Sequence, residues 1–107
     1  MKKIHLLTLL LALVFMGANA QKETLKFAPQ WFPQAQFAGY YVALDQGFYE
    51  EAGLDVKILH PTDDESSMKL LRTGKADVIS SFLMDALSIR LSKNVPLVNI
   101  AQLSQHS

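Results

Sequence analysis

Leu54-Asp55-Val56-Lys57-Ile58-Leu59, the polar run His60-Pro61-Thr62-Asp63-Asp64, the segment Glu65 to Thr73 closed by Gly74, and Ala76-Asp77-Val78-Ile79 form the stretch on which the fold turns. Its first six residues alternate apolar and polar, the period of a strand with one covered face. The polar run reads as a turn, and its aspartates suit the cap of a helix that follows. Met68 and Leu71 then fall on the inner side of a helix over about 65–73, with Gly74 as its stop. Ala76 to Ile79 is short and apolar, as a buried strand is. Strand, helix and strand in this order make a crossover unit, whose two strands run parallel and whose connection is right-handed.

Working outward, Leu25 and Phe27 alternate with Thr24 and Lys26, which predicts a first strand over 24–28 with an outer limit at Trp31, where Pro29 and Pro33 punctuate the chain. Phe37, Tyr41, Leu44 and Phe48 recur at helical spacing, with Asp45, Gln46, Glu50 and Glu51 on the other side, so an amphipathic helix is expected to end before Gly53. Downstream, Ser81 can cap a third helix that carries Met84, Leu87 and Leu91 inward and ends at Asn94. Pro96 to Leu103 is nearly continuous in apolar residues and is expected to be a fourth strand covered on both faces. The order βαβαβαβ defines an α/β fold with a parallel sheet and helices on its faces.

The N-terminus has a separate role. Met1-Lys2-Lys3 is basic, Ile4 to Met16 is apolar apart from His5 and Thr8, and Ala18-Asn19-Ala20 has the small-residue pattern of a cleavage site. Residues 1–20 are therefore expected to be a secretory signal peptide, with Gln21 opening the mature chain. The alternative, a membrane anchor, needs an apolar run of roughly 20 residues, longer than this one. No cysteine occurs in the 107 residues, which excludes a disulfide framework, a thiolate metal site and a lipid-anchored cysteine after the leader. Of 10 basic residues Lys2 and Lys3 belong to the leader, so eight face 10 acidic ones and nucleic acid finds little to hold. Residues 21–107 are at most one small domain. Leu103 to Ser107 shows no helix stop or tail, and the end is read as a cut through a larger domain.

In parallel α/β sheets, ligands bind beyond the carboxyl ends of the strands, where the strand order reverses. That rule selects residues 30–39, 60–63, 80–85 and 104–107. Gln30, Trp31, Gln36 and Tyr40 place aromatic faces beside neutral amides, a combination suited to stacking a heteroaromatic ring and reading its edge. Phe37 and Tyr41 lie on the apolar stripe and are read as core, and Tyr40 is open to either role. Ser80, Ser81 and Phe82 precede the third helix, where backbone N–H groups can hold an acceptor. Gln105 and Ser107 add neutral hydrogen-bonding groups after the fourth strand. His60, His106, Asp63 and Asp64 have no recognised metal spacing and read as solvated turn residues; no metal and no cofactor are expected.

Trp31, the run Pro33-Gln34-Ala35-Gln36-Phe37-Ala38-Gly39-Tyr40-Tyr41-Val42-Ala43-Leu44, then Gly47-Phe48-Tyr49, Gly53-Leu54-Asp55-Val56, Thr73-Gly74-Lys75-Ala76-Asp77 and Pro96-Leu97-Val98 together resemble the opening of NMT1/THI5-like solute-binding domains. The resemblance implies lobe 1 of a type II periplasmic-binding-protein fold, with ligand held between two α/β lobes. Transport members of that family deliver pyrimidine precursors of thiamine, and relatives serve riboflavin, sulfonates or nitrate.

Three functions follow as expectations. The first is extracytoplasmic capture of a small heteroaromatic solute for ABC-type uptake through a membrane permease. The second is a ligand-sensing domain fused to a kinase or cyclase module. The third is a pyrimidine-precursor synthase, as in fungal members, which use pyridoxal phosphate and a histidine of their own. Ser81 stands where the resemblance places their cofactor lysine, Asp85 where it places their donor histidine, and their cysteine-rich motif has no counterpart. A serine cannot form a Schiff base, so a binding protein rather than an enzyme is expected.

Overall fold

The computed structural model describes residues 2–4 and 21–105. Most of the expected leader, together with Ser107, lies outside the described residues. Among the described residues no helix is long and apolar enough to cross a membrane.

Three strands form one parallel sheet: β1 (Glu23–Ala28), β2 (Leu54–Ile58) and β3 (Val78–Ile79), in the order β2-β1-β3. Leu25 stands opposite Val56, and Phe27 opposite both Ile58 and Val78. The central place of β1 means that the chain leaves it toward one edge and returns past it to the other, so strand order reverses between β1 and β3.

The helix expected after β1 is interrupted. A 3-10 turn (Ala35–Phe37) leads into α1 (Ala38–Asp45), and a short α2 (Phe48–Glu51) follows. Gly47 separates the two with φ 75, a left-handed conformation that glycine adopts without steric cost. Phe37 is buried and stacks on Tyr40, whose ring meets the edge of Phe27 at 4.8 Å, so this end of α1 seals the β1 face. Farther along the predicted stripe the packing is poorer: Tyr41 is half-buried, while Leu44 and Phe48 are exposed.

The crossover helix α3 (Ser67–Arg72) packs on the other face. Its cap is Ser66, whose hydroxyl accepts from Lys69 N at 3.2 Å, in place of the aspartates expected to cap it. Leu70 is 6% exposed and closes the core with Ala28 and Ala76, flanked by Leu59 and Ile79. After Gly74, Lys75 N and Ala76 N both donate to the Leu70 carbonyl, at 2.9 and 3.0 Å. Asp77 then starts β3 by reciprocal bonding, its N–H donating to Lys26 O and its carboxylate accepting from Lys26 N, both at 2.8 Å. The carboxylate replaces a backbone carbonyl at the start of a strand too short to supply one.

Two expectations downstream need correction. The helix α4 (Leu83–Lys93) exists and ends at Asn94, which is left-handed at φ 50, but it does not carry Met84, Leu87 and Leu91 inward. Met84 and Leu91 are 72% and 82% exposed, and Ala86 and Ile89 are the half-buried pair instead. Its cap position is Phe82 and makes no side-chain cap; the Ser81 hydroxyl donates to Phe82 O. Pro96 to Leu103 forms no strand. Local bonds claim its backbone: Leu97 N donates to Val95 O at 2.9 Å, Arg90 Nη1 donates to the Leu97 carbonyl, and Ala101 N donates to Asn99 Oδ1 at 3.1 Å. Pro96 has no N–H for a ladder, and side-chain bonds such as that of Asn99 compete with sheet pairing.

Candidate functional site

The carboxyl ends of β1 and β3 meet through one hydrogen bond: Gln30 N donates to Ser80 Oγ at 3.0 Å. The bond spans the reversal in strand order, where open α/β sheets bind ligands. Ser80 N is itself engaged, donating to Ala28 O at 3.1 Å, so it is not one of the free N–H groups expected before α4. Ser80 therefore acts on the site by fixing Gln30.

Beyond this join, a cavity of about 230 Å³ is lined by Gln30, Trp31, Phe32, Pro61, Thr62, Asp63 and Ser66. It is small beside typical ligand pockets of about 300–1,000 Å³ and suits a single ring. Trp31 is 55% exposed and holds Phe32 edge-to-face at a ring separation of 6.0 Å. A tryptophan left this open offers a stacking face. The opposite wall comes from the loop after β2. Pro61 is buried there, and Thr62 and Glu65 close the turn by Thr62 N donating to Glu65 O at 3.0 Å and Glu65 N to Thr62 Oγ1 at 3.2 Å. Behind the loop, the Tyr41 hydroxyl and His60 Nε2 share a hydrogen bond of 3.1 Å, which ties the end of β2 to α1; the buried His60 Nδ1 has no partner among the described residues. Beside the same loop, Lys75 pairs with Glu65 and holds its carboxyl below the usual range, chiefly by hydrogen bonding.

The residues singled out from sequence separate into groups. Gln30 and Trp31 line this cavity. Tyr40 and Ser80 instead line a second, almost wholly apolar cavity of about 240 Å³ with Leu25, Phe27, Tyr49, Val56 and Ile100 among its walls. Burial there raises the hydroxyl pKa of Tyr40 and of Tyr49, the latter helped by the charge Tyr40 gains on ionising. Gln36 is exposed in the 3-10 turn and lines neither cavity, as is true of Ser81 and the exposed Phe82 and Gln105. Phe32, Pro61, Thr62, Asp63 and Ser66 are the lining residues that sequence reasoning did not name as site residues. The rule of strand ends marked residues 60–63, yet their polarity made them look like an ordinary solvated turn. Among the described residues no group of three or more His, Asp or Glu is placed to hold a metal ion.

Parallel strands, a reversed order and an aromatic, hydrogen-bonding cavity beyond their carboxyl ends define the class as a parallel α/β fold with a candidate ligand site at the reversal. The family model described as NMT1/THI5 like matches residues 34–107. The chain belongs to that NMT1/THI5-like family, and Trp31 lies just ahead of the matched span. Among its relatives, the formylaminopyrimidine-binding protein of Halalkalibacterium halodurans is 31% identical over 109 residues, covering 94% of this chain and 33% of the relative. A 4-amino-5-hydroxymethyl-2-methylpyrimidine phosphate synthase of Saccharomyces cerevisiae is 26% identical over 81 residues, covering 76% of this chain and 24% of the enzyme. The enzyme of the same name from Aspergillus parasiticus is 26% identical over 81 residues, with 76% and 23% covered. The chain thus spans about one third or less of the length of these relatives.

Proposed function

We propose that the chain is the first lobe of an extracytoplasmic binding protein that captures a small heteroaromatic solute of the thiamine-pyrimidine-precursor type for ABC-type uptake. The observation that carries this reading is the exposed Trp31 face beside Gln30, whose backbone is held in place by Ser80 at the reversal of strand order. Stacking on the indole supplies affinity, and the amide of Gln30 with the hydroxyls of Thr62 and Ser66 reads the edge of the ring. The binding function named for the Halalkalibacterium halodurans relative supports a formylaminopyrimidine or a similar ring as ligand. The leader pattern of residues 1–20 supports export, with delivery to a membrane permease as the consequence.

Binding rather than synthesis is favoured by the groups on hand. Among the described residues the cavity lining presents amide, hydroxyl and carboxylate groups and no amine that could form a Schiff base with pyridoxal phosphate. The test is titration of the full chain with 4-amino-5-hydroxymethyl-2-methylpyrimidine and its formylamino analogue, followed through the fluorescence of Trp31, the single tryptophan. Trp31→Ala, read by calorimetry, should weaken binding by about 1 kcal/mol or more. Unchanged affinity in that variant removes the stacking role and with it the proposed site.

A further inference from the structure

We infer that Asp63 is a specificity-determining residue which makes the Trp31 cavity select amine-bearing, uncharged or cationic rings and reject their phosphorylated or sulfonated counterparts. The inference rests on the reading of this cavity as the binding site and goes on to name what that site refuses. Of the seven lining residues, Asp63 alone carries a charge. Thr62 Oγ1 and Ser66 Oγ already accept from Glu65 N and Lys69 N and keep their O–H groups to donate to ring acceptors, which leaves Asp63 as the charged acceptor for a ring N–H. The Asp63 carboxylate has only acceptor positions to offer and suits an exocyclic amine or a ring N–H, with a second bond where the two stand side by side.

The surrounding charges agree. Asp64 and Glu65 follow Asp63 on the same loop. The nearby ammonium groups are committed elsewhere, Lys69 Nζ donating to Asp64 O at 3.1 Å and Lys75 pairing with Glu65. Neither lysine lines the cavity, and α3, which starts beside it, is short and has its Lys69 N–H already taken by Ser66 Oγ. A phosphate or sulfonate placed on the ring therefore meets a carboxylate with no compensating cation among the described lining residues. Like charges at contact distance near a protein surface repel strongly enough to decide between otherwise identical rings.

Two ligands with the same ring separate the idea from the wider reading: 4-amino-5-hydroxymethyl-2-methylpyrimidine and its phosphate ester, titrated against the full chain by calorimetry at low and high salt. The unphosphorylated compound should bind about tenfold tighter or better, and added salt should narrow the gap. Asp63→Asn should bring the two ligands within about threefold of each other. Asp64→Asn, which removes the same charge from a residue outside the lining, should leave the ratio as it was. Equal effects of the two variants, an unchanged ratio in Asp63→Asn, or tighter binding of the ester to the unaltered chain would each overturn the inference. If Trp31→Ala weakens both ligands while Asp63→Asn changes nothing, the site stands and only the selectivity falls. If neither ligand binds, both readings fall together.

Discussion

The junction of β1, α3 and β3 and the region from α4 to Leu103 are written in the same kind of sequence, yet they reach opposite ends. Leu70 of α3 is 6% exposed between Ala28 and Ala76, whereas Leu91 of α4, also on a periodic apolar face, is 82% exposed. Periodicity tells which residues are able to share a face. Whether the face is covered depends on what lies across from it, and α3 has the sheet while Met84 and Leu91 have solvent. The first region can therefore be argued as core. The second is an apolar surface displayed by the chain.

The sharpest break of this comparison is a pair of alanine substitutions measured by chemical denaturation. Leu70→Ala should cost about 2–5 kcal/mol, the range for emptying a packed leucine site. Leu91→Ala should stay within about 0.5 kcal/mol, as surface substitutions do. Similar losses in the two variants would show that α4 is packed as well as α3 is.

A smaller effect is expected at Asp77, whose carboxylate accepts the Lys26 N–H at the start of β3. Asp77→Ala should destabilise by about 1 kcal/mol, the ordinary worth of one such bond, and Asp77→Asn, which keeps an acceptor oxygen, should lose less. Equal stability of the alanine variant would mean that β3 starts without its help.

The smallest effect is a pH dependence. Burial raises the Tyr40 hydroxyl from its usual 10.0, so the folded chain favours the protonated form. That contribution is present below pH 10 and fades as the pH climbs through the raised value. Alkaline denaturation should therefore be shallower in Tyr40→Phe than in the unaltered chain; identical curves would place the alkaline limit elsewhere, Tyr49 being the next group to test.

Much of the fold could be read from the chain because local and global signals agreed there. Leu25 and Phe27 alternate and line one sheet face, and Gly53 and Gly74, both read as helix stops, take positive φ where a helix gives way to a strand, whereas Gly47, read as helix interior, is left-handed between α1 and α2. The reading failed where local hydrogen bonds outbid the apolar pattern. Asn99 and Arg90 occupy backbone groups of the segment taken for a fourth strand, and no hydrophobicity count registers that competition. For the cavity, Trp31 was visible as an aromatic past a strand end. Thr62 and Asp63 fall in the stretch that the strand-end rule marks but read as a solvated turn, and Ser66 gives no signal at all, because a polar turn that lines a site and one that merely faces water have the same composition; only their position across from Trp31 separates them.

The bond from Gln30 to Ser80 has a consequence in time as well as in space. An amide hydrogen inside a ladder exchanges with solvent only when the strands part, but that of Gln30 is guarded by a hydroxyl on a rotatable side chain. Protection of this kind is lost in small, frequent openings that leave the rest of the sheet intact. Gln30 is thus expected to keep a clock of its own, faster than that of β1 behind it, and a ring stacked on Trp31 as proposed would slow that clock without having to stabilise the whole chain.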